Sequence, residues 1–254
     1  MLFDSHCHLN HSPLIENLTQ VLQLAAEKNI SHFLVPATNP DDWIASLNLA
    51  QSQPYIYAAI GIHPWYLDSF SDTAIDNLEN LLLQHSQALI GEIGLDYVHA
   101  ENINDKNQQI NCFEAQLQLA KTTQRPTIIH HVHATADCLR SIKRCGFTNG
   151  GIAHAFSGSI EEAQAWIKQG FLIGAGSLLL RPQAKKIRQI ATLLPLQHLV
   201  IETDAPYMSP NPQHSNSPEH LLQIAKIIAN LRNMHWQDIA TITTQNMFKL
   251  LNIN

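Results

Sequence analysis

The sequence lacks the features that mark membrane proteins, disulfide-rich proteins and proteins with a broad basic surface. No segment of the 254 residues reaches about 18 consecutive apolar residues, so we expect no membrane span. The four cysteines form no Cys-x-x-Cys pair, and the start MLFDSHCH has no basic leader, so we expect a cytoplasmic protein with reduced thiols. The net charge of −6 argues against a broad surface for duplex nucleic acid. It still allows a local phosphate site where a metal supplies the positive charge.

What the sequence does contain is an alternation of short apolar segments and longer amphipathic segments. Helical patterns lie between the apolar segments, as in 107–123, where apolar residues recur at three- and four-residue steps. Eight strand–helix units in about 250 residues predict an α/β fold of the (β/α)₈ TIM-barrel type. The eight predicted strands are 2–6, 32–37, 55–63, 88–94, 126–130, 150–156, 171–176 and 199–204.

A doubly wound open sheet is the alternative architecture. Such a sheet seldom needs eight evenly spaced units, and no Gly-x-Gly-x-x-Gly follows the first predicted strand. We therefore expect one barrel domain spanning residues 1–254, which acts as a monomer. An extra C-terminal helix over 236–251 is expected to pack on the outside, and the Pro- and Asn-rich stretch 209–218 predicts a loop.

The stretch FDSHCHL at residues 3–9 raises the question of a metal site. Fifteen histidines in a chain of this length produce about one His-x-His by chance, and two are present, at 6–8 and at 131–133. The spacing is therefore not sufficient on its own. Position adds information, because residues two apart in a strand point to the same side. His6 and His8 at the end of the first strand can both face the barrel mouth.

The other candidate ligands lie in or at the end of four further predicted strands. A single histidine at such a position is more often a hydrogen-bonded core residue than a ligand. Several histidines and carboxylates that are buried together need polar or charged partners, and a metal ion can serve as the partner of all of them. Active sites of TIM barrels lie at the C-terminal ends of the strands, so six candidate ligands from five strands converge there: His6, His8, Glu92, His130, His154 and Asp204. Glu202 lies two residues before Asp204 and is expected to be a structural partner.

In these motifs the chain resembles the TatD family of metal-dependent hydrolases, within the amidohydrolase-like barrels. The resemblance runs along the whole chain and implies a nuclease with two divalent ions. His6 and His8 match the pair on the first strand, Glu92 the carboxylate that bridges or completes both metals, and His130 and His154 the ligands of the second metal. Asp204 matches the aspartate that binds the first metal and handles the proton. The motifs are DSHCHL, VPAT, GIHP, GEIGLDY, PTIIH, HAFSGS and ETDAPY.

The chain departs from the family where relatives carry phosphate-binding cations. Val132 stands where the family has an arginine, and Val98-His99 stands where an arginine usually follows the tyrosine of GLDY. The loop after the eighth strand has Gln213 to Ser217 in place of arginine and lysine. Histidines near these gaps can donate hydrogen bonds, but mostly neutral imidazoles replace arginine poorly at pH 7.

The sequence therefore favours a metal-dependent phosphodiesterase or deoxyribonuclease acting on nucleic-acid ends or single strands, with Asp204 and Glu92 catalytic. Imidazoles plus carboxylates fit zinc or manganese, and magnesium would prefer more oxygen. His63 and Asp96 are the candidates for substrate contact; the alternative for His63 is a loop histidine beside Pro64. Two other functions remain open. One is hydrolysis of a small ester, amide or phosphoester by the same site, and the other is metal-dependent binding without catalysis.

Overall fold

The computed structural model describes residues 1–253, and the predicted TIM barrel is confirmed in these residues. Eight parallel strands are hydrogen-bonded in chain order and form a nearly closed barrel. The strands are β1 (Leu2–Asp4), β2 (Ile30–Pro36), β3 (Ile56–Ile60), β4 (Leu89–Asp96), β5 (Thr127–Val132), β6 (Gly151–Ala153), β7 (Phe171–Ala175) and β8 (Leu199–Ile201). Residue 254, the last of the predicted domain, lies outside the described residues.

The α-helices alternate with the strands, and two further helices follow β8. They are α1 (Leu18–Glu27), α2 (Pro40–Ser52), α3 (Asp72–Gln84), α4 (Ile103–Thr122), α5 (Thr135–Cys145), α6 (Ile160–Lys168), α7 (Lys185–Leu193), α8 (His220–Arg232) and α9 (Trp236–Leu250). Side-chain caps begin several of them. Ser159, for example, accepts from the backbone N–H of Glu162, whose carboxylate accepts from the backbone N–H of Ser159 in return, which is a capping box. None of the helices in residues 1–253 is long and apolar enough to cross a membrane.

The loops that follow β1 and β8 are joined directly. The buried carboxylate of Asp4 accepts hydrogen bonds from the backbone N–H and the hydroxyl of Thr203, at 3.0 and 2.6 Å. Just beyond, the backbone N–H of Asp204 donates to the carbonyl of His6 over 2.9 Å. These contacts close the barrel at its C-terminal end. They also place candidate ligands from opposite ends of the chain side by side.

The C-terminal helix covers the other end of the barrel. Met247 of α9 packs with an apolar layer inside the barrel, and the ring of Phe248 contacts that of Phe3 with centroids 6.1 Å apart. The side-chain amide of Asn246 donates to the carbonyl of Leu199, the first residue of β8. Helix α9 thus lies across the N-terminal ends of β1 and β8, whereas we expected it to pack on the outside. Seven strands supply the interior layer, with Phe3, Leu34, Ala59, Leu89, Ile128, Ile152 and Val200.

Several strands end earlier than the apolar segments suggest. Strands β1, β6 and β8 end at residues 4, 153 and 201, where 6, 156 and 204 were predicted. The backbone turns at once after β6 and β8, because Ala155 and Asp204 adopt left-handed conformations with φ of 47° and 57°. His6, His154 and Asp204 therefore lie in the first loop residues at the C-terminal face of the barrel. This is the position from which side chains reach the mouth.

Candidate metal centre

The first donor group consists of His6, His8, Glu92 and Asp204, all less than 9% exposed. The Nε2 atoms of His6 and His8 face each other at 3.1 Å. They lie 3.2 and 3.8 Å from Oε2 of Glu92, and 3.5 and 3.3 Å from Oδ1 of Asp204. Burial lowers the pKa of both imidazoles, to about 3 for His8, so both are neutral and offer a lone pair. Two neutral nitrogens and two carboxylate oxygens make a donor set that fits a divalent cation.

The second donor group consists of the other oxygen of Glu92 together with His130 and His154. Oε1 of Glu92 lies 2.9 Å from Nδ1 of His130 and 2.8 Å from Nε2 of His154. Nε2 of His63 lies 3.5 Å from the same oxygen. Glu92 therefore places one carboxylate oxygen in each group, which is the geometry expected of a carboxylate that bridges two metal ions.

A glycine after Glu92 allows β4 and β5 to come this close. Gly94 has a φ of 142°, and a Cβ at this position would lie 2.0 Å from the carbonyl oxygen of His130. A side chain there would push β4 away from β5 and separate Glu92 from His130. The second glycine of the GEIG motif is thus required by the close approach of the two strands.

The polar neighbours of each imidazole indicate which of its two ring nitrogens faces the donor groups. Nε2 of His130 lies 3.1 Å from Oδ2 of Asp96 and must donate to it, which leaves Nδ1 as the atom that faces Glu92. Nε2 of His154 faces the donor group, 2.8 Å from Oε1 of Glu92, while its Nδ1 points toward Oε1 of the buried Glu202 at 3.6 Å, beyond hydrogen-bond distance. His63 differs, because its Nδ1 accepts the backbone N–H of Trp65 over 3.2 Å. Neutral His63 then carries its proton on Nε2 and is a hydrogen-bond donor toward the site.

Asp96 lies behind His130 and connects it to the rim of the barrel. Its Oδ2 is 2.8 Å from Nε1 of Trp65 and 3.0 Å from Nδ1 of His99, in addition to its bond with His130. Burial alone would raise the pKa of Asp96, but the hydrogen bonds from His130 and Trp65 outweigh it and hold the pKa below its usual range. An ionised Asp96 fixes the orientation of the His130 ring.

The two carboxylates inside the centre have different proton affinities. Burial raises the pKa of Asp204 to about 6. Burial would also raise the pKa of Glu92, but the imidazoles of His154 and His6 outweigh it and keep the pKa well below its usual range. Two carboxyl groups whose pKa values are driven apart can take different roles, one as a permanent anion and one as a proton acceptor.

A cavity of about 350 Å³ opens from this centre to solvent. The donor groups form its floor, and its rim includes Trp65, Tyr66, Val132 and Tyr207. Among residues 1–253, no lysine or arginine lines it. Lys186 lines an adjoining cavity of about 380 Å³ that Val132 also contacts. Within the described residues the rim is therefore aromatic and carries no cation, and it includes Val132, where the family resemblance implies an arginine.

The structure brings together all six residues that the sequence proposed as metal ligands. His63 joins them, with its Nε2 toward the cavity, whereas Asp96 does not line the cavity and contacts His130 from behind. Sequence reasoning missed Trp65, which the position two residues after His63 could have suggested. It also missed His11, whose ring stacks on that of His8 with centroids 4.9 Å apart.

Comparisons with known proteins place the chain in a family. The family model described as TatD related DNase matches residues 3–252. The chain is 32% identical over 254 residues to YjjV of Escherichia coli K12, an uncharacterized metal-dependent hydrolase, covering 98% of this chain and 97% of that one. It is 32% identical over 257 residues to YabD of Bacillus subtilis 168, which bears the same description, with both chains fully covered.

Solved structures give the same result. The crystal structure of YjjV, a TatD homologue, matches with a TM-score of 0.92 and 30% identity, covering 100% of this chain and 98% of that one. A TatD family hydrolase from Entamoeba histolytica matches with a TM-score of 0.87 over 98% of each chain. At 20% identity, the second match supports the fold alone.

Proposed function

Since the chain belongs to the TatD family of metal-dependent hydrolases, we propose that it is a phosphodiesterase acting on nucleic-acid ends or single strands with two divalent ions. The observation that carries the proposal is Glu92, with one oxygen in each of two buried donor groups. Phosphodiester hydrolysis is a reaction for which paired metal sites are well suited, because both the attacking and the leaving oxygen need stabilisation. The family description adds nuclease activity as the reaction class.

The donor atoms present fit the metal ions that the family implies. His6, His8 and Asp204 would hold the first ion, His130 and His154 the second, and Glu92 both. Zinc or manganese suits this mixture of imidazole and carboxylate better than magnesium does. When bound, the ions would supply Lewis acidity and lower the pKa of a water molecule.

The side chains around the centre then have defined tasks. Asp204, at the edge of the cavity, accepts the proton of the attacking water. His63 presents its Nε2 proton to a phosphoryl oxygen and orients it. For Asp96, the position behind His130 favours orientation of that ligand over the substrate contact that the sequence suggested.

The second candidate function is hydrolysis of a small ester or phosphoester by the same centre. It is favoured by one observation, the absence of lysine and arginine from the cavity rim within residues 1–253. A nucleic acid carries a charge on every nucleotide, and proteins usually meet it with several cations. A small substrate with one anionic group needs only the metal ions.

An activity comparison on reconstituted protein tests both functions. The protein is stripped with chelator, reloaded with zinc or manganese, and assayed on end-labelled single-stranded and duplex oligonucleotides and on p-nitrophenyl acetate and p-nitrophenyl phosphate. The proposal expects metal-dependent cleavage of single strands or ends, which is lost again on chelation. Turnover of the small esters without cleavage of any oligonucleotide would overturn the proposal in favour of the second function.

A further inference from the structure

Exposed aromatic side chains are concentrated at the cavity rim. Within residues 1–253, four aromatic side chains are exposed: Tyr55, Trp65, Tyr66 and Tyr207, at 56, 54, 41 and 49%. Three of the four line the cavity above the metal centre, and Tyr55 alone lies elsewhere, just before β3. Single exposed aromatics on a protein surface need no explanation, but a group around one cavity marks a binding surface.

The Trp65 ring is held rigidly although more than half of it is exposed. Its Nε1–H donates to Oδ2 of Asp96 over 2.8 Å, and its backbone N–H donates to His63. Its ring contacts those of His99 and His63, with centroids 4.4 and 5.0 Å apart. A ring fixed in this way loses little conformational entropy when a ligand covers it.

The Tyr207 ring is held by a similar chain of hydrogen bonds. Its hydroxyl lies 2.9 Å from Nδ1 of His11, whose Nε2 lies 3.1 Å from Oδ2 of Asp42. Asp42 in turn accepts the backbone N–H groups of Thr38 and Asn39, just before α2, and these bonds fix its orientation. Because the carboxylate of Asp42 only accepts, His11 carries its proton on Nε2, and its Nδ1 accepts the tyrosine hydroxyl.

We propose that Trp65 and Tyr207 bind one unpaired nucleobase of the substrate by stacking, beside the phosphodiester that reaches the metal centre. This inference rests on the proposed nuclease function and deepens it. Stacking on aromatic faces holds single strands with little dependence on base identity, because every base has a π face. In this chain it supplies, on an uncharged rim, the substrate contact that phosphate-binding arginines would otherwise make. Duplex ends must fray before they can bind in this way.

A fluorescence titration tests binding without relying on turnover. Trp43 and Trp166 are buried and Trp236 is partly buried, so Trp65 is the exposed tryptophan of the chain. Metal-loaded protein is titrated with dAMP and, separately, with 2-deoxyribose 5-phosphate, which has the phosphate but no base. We expect saturable quenching by dAMP alone, and its loss in Trp65→Phe. Equal quenching by both compounds, or quenching that persists in Trp65→Phe, would overturn the inference.

A kinetic comparison separates this inference from the proposed function. At saturating metal, Trp65→Ala should raise KM for a labelled single strand about fivefold to hundredfold, the range of one base–aromatic stack measured by alanine substitution. Trp65→Phe, which keeps a ring, should restore most of the loss, and Tyr55→Ala is the matched control that should change nothing. A strand with abasic residues at the cleaved end should bind wild type as poorly as the normal strand binds Trp65→Ala.

The outcomes are distinguishable. Unchanged KM in Trp65→Ala, or equal KM of wild type for normal and abasic strands, refutes stacking while nuclease activity stands. Failure of wild type to cleave any strand refutes the proposed function, and the dAMP titration then still decides whether the rim binds a base.

Discussion

Replacing Asp96 by asparagine should weaken binding of one metal ion and leave the other unaffected. The Asp96 side chain is 2% exposed, and its Oδ2 accepts from Nε2 of His130 and from Nε1 of Trp65. Its Oδ1 accepts the backbone N–H of Val98 over 2.9 Å. Asparagine has the same size, but an NH₂ group replaces one of the two carboxylate oxygens. Whichever way the amide is turned, a donor then faces a donor, and the charge behind His130 is lost.

The expected loss of metal affinity follows from the contact of Asp96 with His130, which orients that imidazole. Losing a group that orients a metal-binding histidine typically costs about 10- to 100-fold in metal affinity, or about 1.4–2.7 kcal/mol. The loss should fall on the second donor group, which contains His130. The first donor group should keep its affinity, because none of its four side chains hydrogen-bonds to Asp96.

Competition titration with a chromophoric chelator resolves the two affinities. Asp68→Asn, an exposed aspartate outside the cavity, is the control with the same change in charge. We expect one weakened site in Asp96→Asn and none in Asp68→Asn. Two unchanged affinities would refute the orienting role. If, in addition, KM rises at saturating metal, Asp96 contacts substrate instead, as the sequence first suggested.

Three further outcomes are expected. Asp204→Asn should keep the fold but lose about 10²- to 10⁴-fold in kcat, because it removes the proton acceptor; near-normal turnover in a folded mutant would exclude that role. Chelation should lower Tm, by about 2–4 °C for each kcal/mol of lost binding energy, and an unchanged melting curve would argue against tightly bound ions. Val132→Arg should increase kcat/KM on a single strand about tenfold to hundredfold by adding a charge-assisted contact. Leu83→Arg, on the outer face of α3, is its charge-matched control and should not change kcat/KM.

The barrel could be predicted from the sequence because each strand–helix unit carries its own pattern. The apolar periodicity of 107–123 indicated α4, and the structure extends that helix by one turn at its start. The extra turn depends on Asn102, whose side chain accepts from Asn104 and Asp105 and caps the helix. The ends of the strands were less predictable, because apolar residues continue beyond the last backbone hydrogen bond between neighbouring strands. Left-handed backbone at Ala155 and Asp204 ends those segments for reasons that hydrophobicity does not encode.

The residues of the metal centre could be proposed from sequence, but their partners could not. That His6, Glu92 and Asp204 would converge follows from the barrel, which places all strand ends on one face. Which nitrogen of His130 faces inward depends on Asp96, 34 residues away, and no periodicity reports such a contact. The same holds for the bond between His11 and Tyr207, which are 196 residues apart. Side-chain contacts of this range are set by packing of the whole barrel.

Metal affinity and substrate selection are physically connected in this site. Asp96 holds both His130, a donor of the centre, and Trp65, a ring of the rim. On the other side, His11 holds the Tyr207 ring through its Nδ1 and stacks on His8, another donor. The Tyr207 ring also contacts that of His8 directly, with centroids 5.1 Å apart. A substitution that changes the rim therefore also shifts a metal ligand, so selectivity has to be measured at saturating metal before any change in KM is assigned to substrate contact.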